Sequence, residues 1–220
     1  AMELGRTSPA FRSLIGTNNG IGSAAIVFDG TEKQKLTYLP KYASGELIGS
    51  FCLTEPDVGS DAAAVKTTAV KKGEKYIING TKRFITNAPG ITLGPKDKKM
   101  GQQGSHTCDV IFEDCHVPAE NIIGGVAGKG FITSMKVLDR GRLHISALSV
   151  GIAERLINDA LSYAIDRTQF GKPIAEHQMI QVMLADSKAE AYAAKCMVLD
   201  AARQKDLGNK ITTEASCCKL

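Results

Sequence analysis

The chain has 220 residues, 43% hydrophobic and 23% charged, with a net charge of +4 from 27 basic and 23 acidic side chains. That balance excludes a disordered chain, which needs few apolar residues and a high net charge. The 22 glycines have no period, which excludes a collagen-like repeat. The mild basicity suits an anionic small ligand. Scattered lysines argue against nucleic acid, which calls for a concentrated basic face.

Aromatic residues make up 5% and tryptophan is absent, so the core must rest on Ala, Ile, Leu, Val and Met. None of the six cysteines (Cys52, Cys108, Cys115, Cys196, Cys217, Cys218) forms a CxxC pair, and no histidines stand at metal spacing. Reduced thiols inside a cell, with no metal, are expected. No apolar run approaches the roughly 20 residues of a membrane span. The N-terminus lacks a basic region followed by an apolar one, so secretion is not expected.

In chain order, residues 1–45 mix glycine-rich turns with short helical pieces. A helix is expected from Glu32 to Tyr42, stopped at Gly45. Residues 46–128 form a middle β-domain, and up to 118 the period changes to two. Leu47–Leu53 reads as a strand and Val65–Val70 as another. Lys75–Ile78 runs into Asn79-Gly80, a hairpin signal, and out through Thr81–Thr86. Asp109–Phe112 is a further strand, ended by Val117-Pro118. These predict an antiparallel β-domain, a sandwich or a partly open barrel.

Residues 129–220 read as a helical bundle. Phe131, Met135, Leu138, Ile145, Leu148, Ile152, Leu156 and Ile165 recur at helical spacing. Asp166–Pro173 breaks the pattern. A second long helix runs from about Glu176 to Leu207, with Met179, Val182, Met183, Ala189, Ala193, Met197 and Leu199 on or near one face. Gly208 stops it, and Thr212 or Thr213 caps a third helix. The fold class is thus α+β and multi-domain: a helical remnant (1–45), an antiparallel β-domain (46–128) and an up-down bundle (129–220).

The stretch Phe51-Cys52-Leu53-Thr54-Glu55-Pro56-Asp57-Val58-Gly59-Ser60-Asp61 carries the most chemistry. Thr54 offers a hydroxyl at a strand end. Gly59-Ser60 offers open amides and a hydroxyl, which suit a phosphate. A plain turn would look the same in isolation.

Four further segments accompany it: Tyr76–Asn87, Lys99–Ser105 with Ile111–Pro118, Leu138-Asp139-Arg140-Gly141-Arg142, and Asp166–Ile174 with His177-Gln178. Taken in order, the five resemble the signature segments of the acyl-CoA dehydrogenase family of flavoproteins and cover most of the chain. The resemblance implies an N-terminal helical domain, a middle β-domain and a four-helix bundle. It also implies FAD held without a Gly-x-Gly-x-x-Gly loop.

By that resemblance, Phe51, Leu53 and Thr54 match the strand beside the flavin ring, with Thr54 hydrogen-bonded to it. Phe84, Ile85 and Thr86 match a second flavin-facing segment, Phe84 standing where many members carry tryptophan. Ser60 matches a hydroxyl near the pyrophosphate and the acyl-CoA. Arg167, Gln169, Phe170, His177 and Gln178 match a loop that reaches the FAD of a neighbouring subunit. Asp139 and Arg142 match positions near the CoA arm, although three apart on a helix they also fit a surface ion pair. Phe51 and Phe84 also fit ordinary core aromatics. His106, His116 and His144 are read as structural or solvated.

The activity implied is dehydrogenation of an acyl-CoA to the trans-2-enoyl-CoA, with electrons passing from FAD to an electron-transferring flavoprotein, in a homotetramer of a bacterial cytoplasm or mitochondrial matrix. The alternatives are a non-catalytic flavin-binding relative and a nucleic-acid-binding one. No base is assigned, since the position where a minority of the family carries it corresponds to Gly141. The chain reads as truncated or gapped, with strands missing after Asn87–Ile91 and two bundle helices beyond Leu220. Alone it is expected neither to fold fully nor to turn over. If it did turn over, a carboxylate already present, such as Glu55, would have to be the base.

Overall fold

A computed structural model describes residues 1–86 and 92–220. In chain order the elements are α1 (Met2–Thr7), α2 (Pro9–Gly16), α3 (Ala24–Asp29), α4 (Glu32–Ser44), β1 (Thr68–Lys72), β2 (Lys75–Thr86), β3 (Thr92–Leu93), β4 (Thr107–Pro118), α5 (Gly130–Asp166), β5 (Thr168–Gln169), β6 (Lys172–Pro173), α6 (Gln178–Asp206) and α7 (Thr212–Lys219). They pack as two compact units, Ser13–Leu138 and Ala1–Arg12 with Asp139–Leu220. The fold is mixed, an antiparallel sheet in the first unit and long helices in the second. The segment 87–91, on which the expectation of missing strands falls, lies outside the described residues.

In the first unit α4 forms where expected and stops at Gly45, whose φ of 80° is left-handed. Its start is a capping box: the Gln34 amide donates to Thr31 Oγ1, and the Thr31 amide donates to Gln34 Oε1. The buried Gln34 side chain does more. Its Nε2 donates to the carbonyls of Glu120 and Ile122, and its Oε1 also accepts from the Gly124 amide. One amide therefore fastens α4 to the loop after β4.

The sheet has the order β1-β2-β4-β3, with every pairing antiparallel. Two expectations fail here. Asn79-Gly80 is no turn. β2 runs straight through it, and the hairpin lies earlier, at Gly73-Glu74 between the paired Lys72 and Lys75. Gly80 serves close approach instead. Its φ is 152°, and a Cβ there would stand 2.3 Å from Thr67 Oγ1. Gly80→Ala is expected to cost about 1–3 kcal/mol through this overlap, read by urea denaturation.

The segment 47–53 is not a strand either. Side chains and β2 hold it at single points rather than along a ladder. The Gly49 amide donates to Asn18 Oδ1, Lys82 Nζ donates to the Leu53 carbonyl, and the Arg83 amide donates to the Thr54 carbonyl. The first ladder strand starts at Thr68 rather than Val65, because the amides of Lys66 and Thr67 are taken by the Glu55 carboxylate.

In the second unit Leu143 and Val150 of α5, Val198 and Ala201 of α6, and Ile211 and Ala215 at α7 make the core, with Met2 of α1 packed on it. Glycines bring α1 close. A Cβ on Gly151 would lie 2.1 Å from the Met2 carbonyl oxygen. The apolar residues expected on or near one face of α6 do not supply the core of this unit. Met179, Val182, Met183, Met197 and Leu199 are exposed, whereas Ala191, Val198 and Ala201 are buried. Small side chains let α6 approach its neighbours closely and turn the bulky ones outward. On α5, likewise, Leu148 is buried but Phe131, Leu156 and Ile165 are exposed. No threonine caps α7. Ile211 holds the cap position, and Thr212 Oγ1 donates to Asp139 instead.

Candidate functional site

After Thr54 the chain folds back at once through Glu55-Pro56-Asp57-Val58. The amides and carbonyls of Glu55 and Val58 pair with each other. Pro56 presets the turn. Beyond it Gly59 and Ser60 are exposed, and a Cβ on Gly59 would meet nothing within 4 Å. The turn is therefore uncrowded on its outer side, and small residues with hydroxyl and amide donors there suit a phosphate.

Beneath this turn Glu55 is 5% exposed and its carboxylate is saturated. Oε1 accepts from Lys82 Nζ at 2.8 Å, Thr67 Oγ1 at 2.6 Å and the Thr67 amide at 3.0 Å, and Oε2 accepts from the Lys66 amide at 2.7 Å. Burial alone would raise the Glu55 pKa, but the hydrogen bonds from Lys82, Thr67 and the two amides outweigh it and bring it to about 2. Such a group cannot collect a proton near neutrality, which removes Glu55 as a candidate base.

β2 carries the second half of the site. Between Lys82 and Ile85 the register slips, so Arg83 and Phe84 together face Asp109 of β4. This bulge puts Phe84 at φ 59°, strained for a residue with a Cβ, and turns its ring outward to 61% exposure. The Arg83 guanidinium lies 5.4 Å from the ring centroid. Phe84 is therefore a displayed aromatic surface rather than a core residue. Ile85 is the reverse, a 3% exposed core side chain, so only its backbone can face a ligand. Thr54, Ser60 and Thr86 have no hydrogen-bond partner for their hydroxyls among the described residues. Phe51 and Leu53 are half-buried.

Phe51 also lines a cavity of about 570 Å³ within this unit, with Cys52, Ile78, Ile122, Val126 and Thr133 among its other walls. Burial pushes the Cys52 thiol pKa up, so the group there is a neutral thiol. All six cysteines are free, and no group of three potential metal ligands occurs among the described residues. No helix among them is long and apolar enough to cross a membrane.

In the second unit β5 and β6 form a two-residue hairpin whose loop residues, Phe170 and Gly171, have φ of 54° and 78°. Phe170 is 94% exposed. Arg167 and Gln169 are exposed, and the Arg167 side chain has no partner among the described residues. His177 stands at the start of α6, its ring edge-on to Phe170, with Nε2 buried and unpaired. Gln178 follows it, exposed.

Asp139 and Arg142 do form an ion pair, but a half-buried one. Asp139 Oδ1 accepts from Arg142, and Oδ2 accepts from Thr212 Oγ1 at 2.8 Å. His144, on the same helix, is pushed down to about 4 by burial and by the charges of Arg140 and Arg12. It is neutral at physiological pH, in keeping with a structural role.

Sequence reasoning missed Lys82 and the structural role of Glu55. The signal was there: Lys82 shares the strand parity of Tyr76, Ile78 and Gly80, so a lysine falls on the inward face.

Three family models match the chain: the N-terminal domain of acyl-CoA dehydrogenases over residues 1–46, the middle domain over 50–90 and the C-terminal domain over 128–220. The chain belongs to the acyl-CoA dehydrogenase family. It is 38% identical to an acyl-CoA dehydrogenase of Bacillus subtilis, matching over 99% of this chain and 65% of that protein. It is 37% identical to a subunit of the caffeyl-CoA reductase–Etf complex of Acetobacterium woodii, over 99% of this chain and 65% of that one. Among solved structures it resembles an acyl-CoA dehydrogenase of Bacillus anthracis complexed with FAD, with a TM-score of 0.89 at 34% identity, covering 99% of this chain and 42% of the other. The Bacillus subtilis match is 247 positions long against 220 residues here, so that acyl-CoA dehydrogenase carries residues inside the match that this chain lacks.

Proposed function

We propose that the chain is the flavin-holding part of an acyl-CoA dehydrogenase that converts an acyl-CoA to the trans-2-enoyl-CoA. One observation carries this most: a β-bulge spends backbone strain to display Phe84, beside a turn whose threonine and serine hydroxyls have no hydrogen-bond partner among the described residues. Thr54 and Thr86 would hydrogen-bond the isoalloxazine, Phe84 would stack against it, and Phe51 and Leu53 would line the ring. Ser60 would meet the pyrophosphate and the acyl-CoA. Ile85 would contribute only through its backbone.

When bound, FAD supplies the acceptor for the hydride that leaves the β-carbon. The residues present bind and orient; no proton acceptor is assigned, Glu55 being committed to Lys82. Asp139 and Arg142 would steady the CoA arm, with Thr212 fixing the carboxylate of the pair. The domain division 1–45, 46–128 and 129–220 belongs to this reading.

The hairpin supports an oligomer. Arg167, Gln169 and Phe170 are exposed, and His177 Nε2 is buried without a partner. We assign them, with Gln178, to the FAD of a neighbouring subunit in a homotetramer. The exposed apolar side chains of α5 and α6, such as Leu156 and Met183, would lie under further protein. Electrons would leave to an electron-transferring flavoprotein. Arg167→Ala is expected to weaken FAD retention by about 1.5–3 kcal/mol, the worth of a charge-assisted hydrogen bond. Flavin content after prolonged dialysis reads this, and full retention contradicts the assignment. Reduction of an artificial acceptor across a panel of acyl-CoAs tests the activity itself.

A further inference from the structure

We propose that the buried Glu55–Lys82 pair is a positioning element for the flavin surface: it fixes where Thr54 and the Phe84 bulge stand relative to each other. The proposal rests on the flavin reading given above. Two successive residues of β2 take hold of the 53–55 segment. Lys82 Nζ donates to the Leu53 carbonyl at 3.2 Å and to Glu55 Oε1 at 2.8 Å, and the Arg83 amide donates to the Thr54 carbonyl at 2.8 Å. The next residue is Phe84, at φ 59°. On its other side Glu55 is anchored by the amides of Lys66 and Thr67 and by the Thr67 hydroxyl.

Both partners are buried, Glu55 to 5% and Lys82 to 8% exposure. A buried ion pair is often no more stable than an apolar pair of the same volume, so stability alone does not account for it. What it adds is direction. Each bond has a fixed acceptor, and together they set the depth at which Thr54 leaves the sheet. A strained bulge holds its shape only when its surroundings over-determine it. Both side chains are buried and turned to each other and to the 53–55 segment, so the pair acts through Thr54 and Phe84.

The test uses the protein stripped of flavin and retitrated with FAD, read by quenching of flavin fluorescence, visible circular dichroism of the bound flavin and its midpoint potential. Glu55→Gln and Lys82→Met should each weaken FAD binding by roughly tenfold or more and alter the visible dichroism. Leu148→Ala, a core truncation in the other unit, should lower the melting temperature and leave the dichroism unchanged. Folded Glu55→Gln and Lys82→Met proteins that bind FAD within about twofold of wild type, with an unchanged dichroism and potential, overturn the proposal. Should both fail to fold, Thr67→Val decides, since it removes one hydroxyl only. Binding weakened by about threefold or more supports the proposal, and any smaller change overturns it. A wild type that takes up no FAD overturns the flavin reading, and this proposal with it. A wild type that binds FAD beside variants that match it overturns this proposal alone.

Discussion

Lys82→Met is expected to lower stability by about 3–5 kcal/mol at neutral pH, because it strands the Glu55 carboxylate in the interior without its counter-charge. Methionine matches the lysine stem in volume, so the loss reports the charge and its hydrogen bonds rather than a cavity. The effect has a pH signature. Glu55 falls from an ordinary value of 4.5 to about 2 on folding. Its folded pKa is depressed, so its contribution is fully present above pH 4.5 and is lost as pH falls towards 2. A difference of that size corresponds to about 3 kcal/mol at 1.36 kcal/mol for each pH unit. Wild-type protein should therefore lose stability steeply in that window, and Lys82→Met should lose much less there. Urea titrations at neutral pH and along an acid series measure both. A neutral-pH loss below about 1 kcal/mol would place the pair at a solvated surface instead.

Leu148→Ala should cost about 2–5 kcal/mol. The side chain is 2% exposed, and α1 cannot close the space left behind. A Cβ on Gly5 would already stand 2.6 Å from the Leu148 carbonyl oxygen and 3.0 Å from its Cδ1, so the backbones are in contact. Leu156→Ala on the same helix is the control. Leu156 is 61% exposed, so its loss should leave thermal unfolding of the isolated subunit nearly unchanged. If the α5 and α6 faces are covered in a tetramer, Leu156→Ala should shift the oligomer equilibrium instead, as read by sedimentation. Equal melting losses from the two substitutions would contradict the burial described for α5.

Periodicity made the long helices legible. Fifteen or more residues of apolar spacing leave little else for 130–165 and 178–206 to be, and Gly45 and Gly208 sit at left-handed positions just past helix ends. The buried face was not legible on α6, since spacing marks where apolar residues recur but not which stripe meets a neighbour. Alanines 191 and 201 won over the methionines through closeness of approach. Asn79-Gly80 misled because its local turn preference is weaker than a long partner strand. Thr67 needed the Cβ-free space, and the Asn79 side chain bonds Asp114 of β4, where the register between Ile78 and Gly80 slips, instead of closing a turn.

The site divides similarly. Thr54, Ser60, Phe84 and Thr86 stand out in the ordered segments; in the structure Ser60 and the Phe84 ring are exposed, while Thr54 and Thr86 are half-buried. The rigid joint under them, Glu55 with Lys82, was hidden because its partners lie 27 residues apart and neither residue type is expected inside. The bulge was hidden because it depends on the register with β4.

In the function proposed above, these residues hold FAD so that an acyl-CoA can reduce it. The direct measurement is anaerobic titration of the purified protein with acyl-CoAs of graded chain length while the visible flavin absorbance is followed. A flavin spectrum at the outset and its bleaching by at least one acyl-CoA are expected. A folded but colourless protein, or a bound flavin that no acyl-CoA bleaches, would contradict that function.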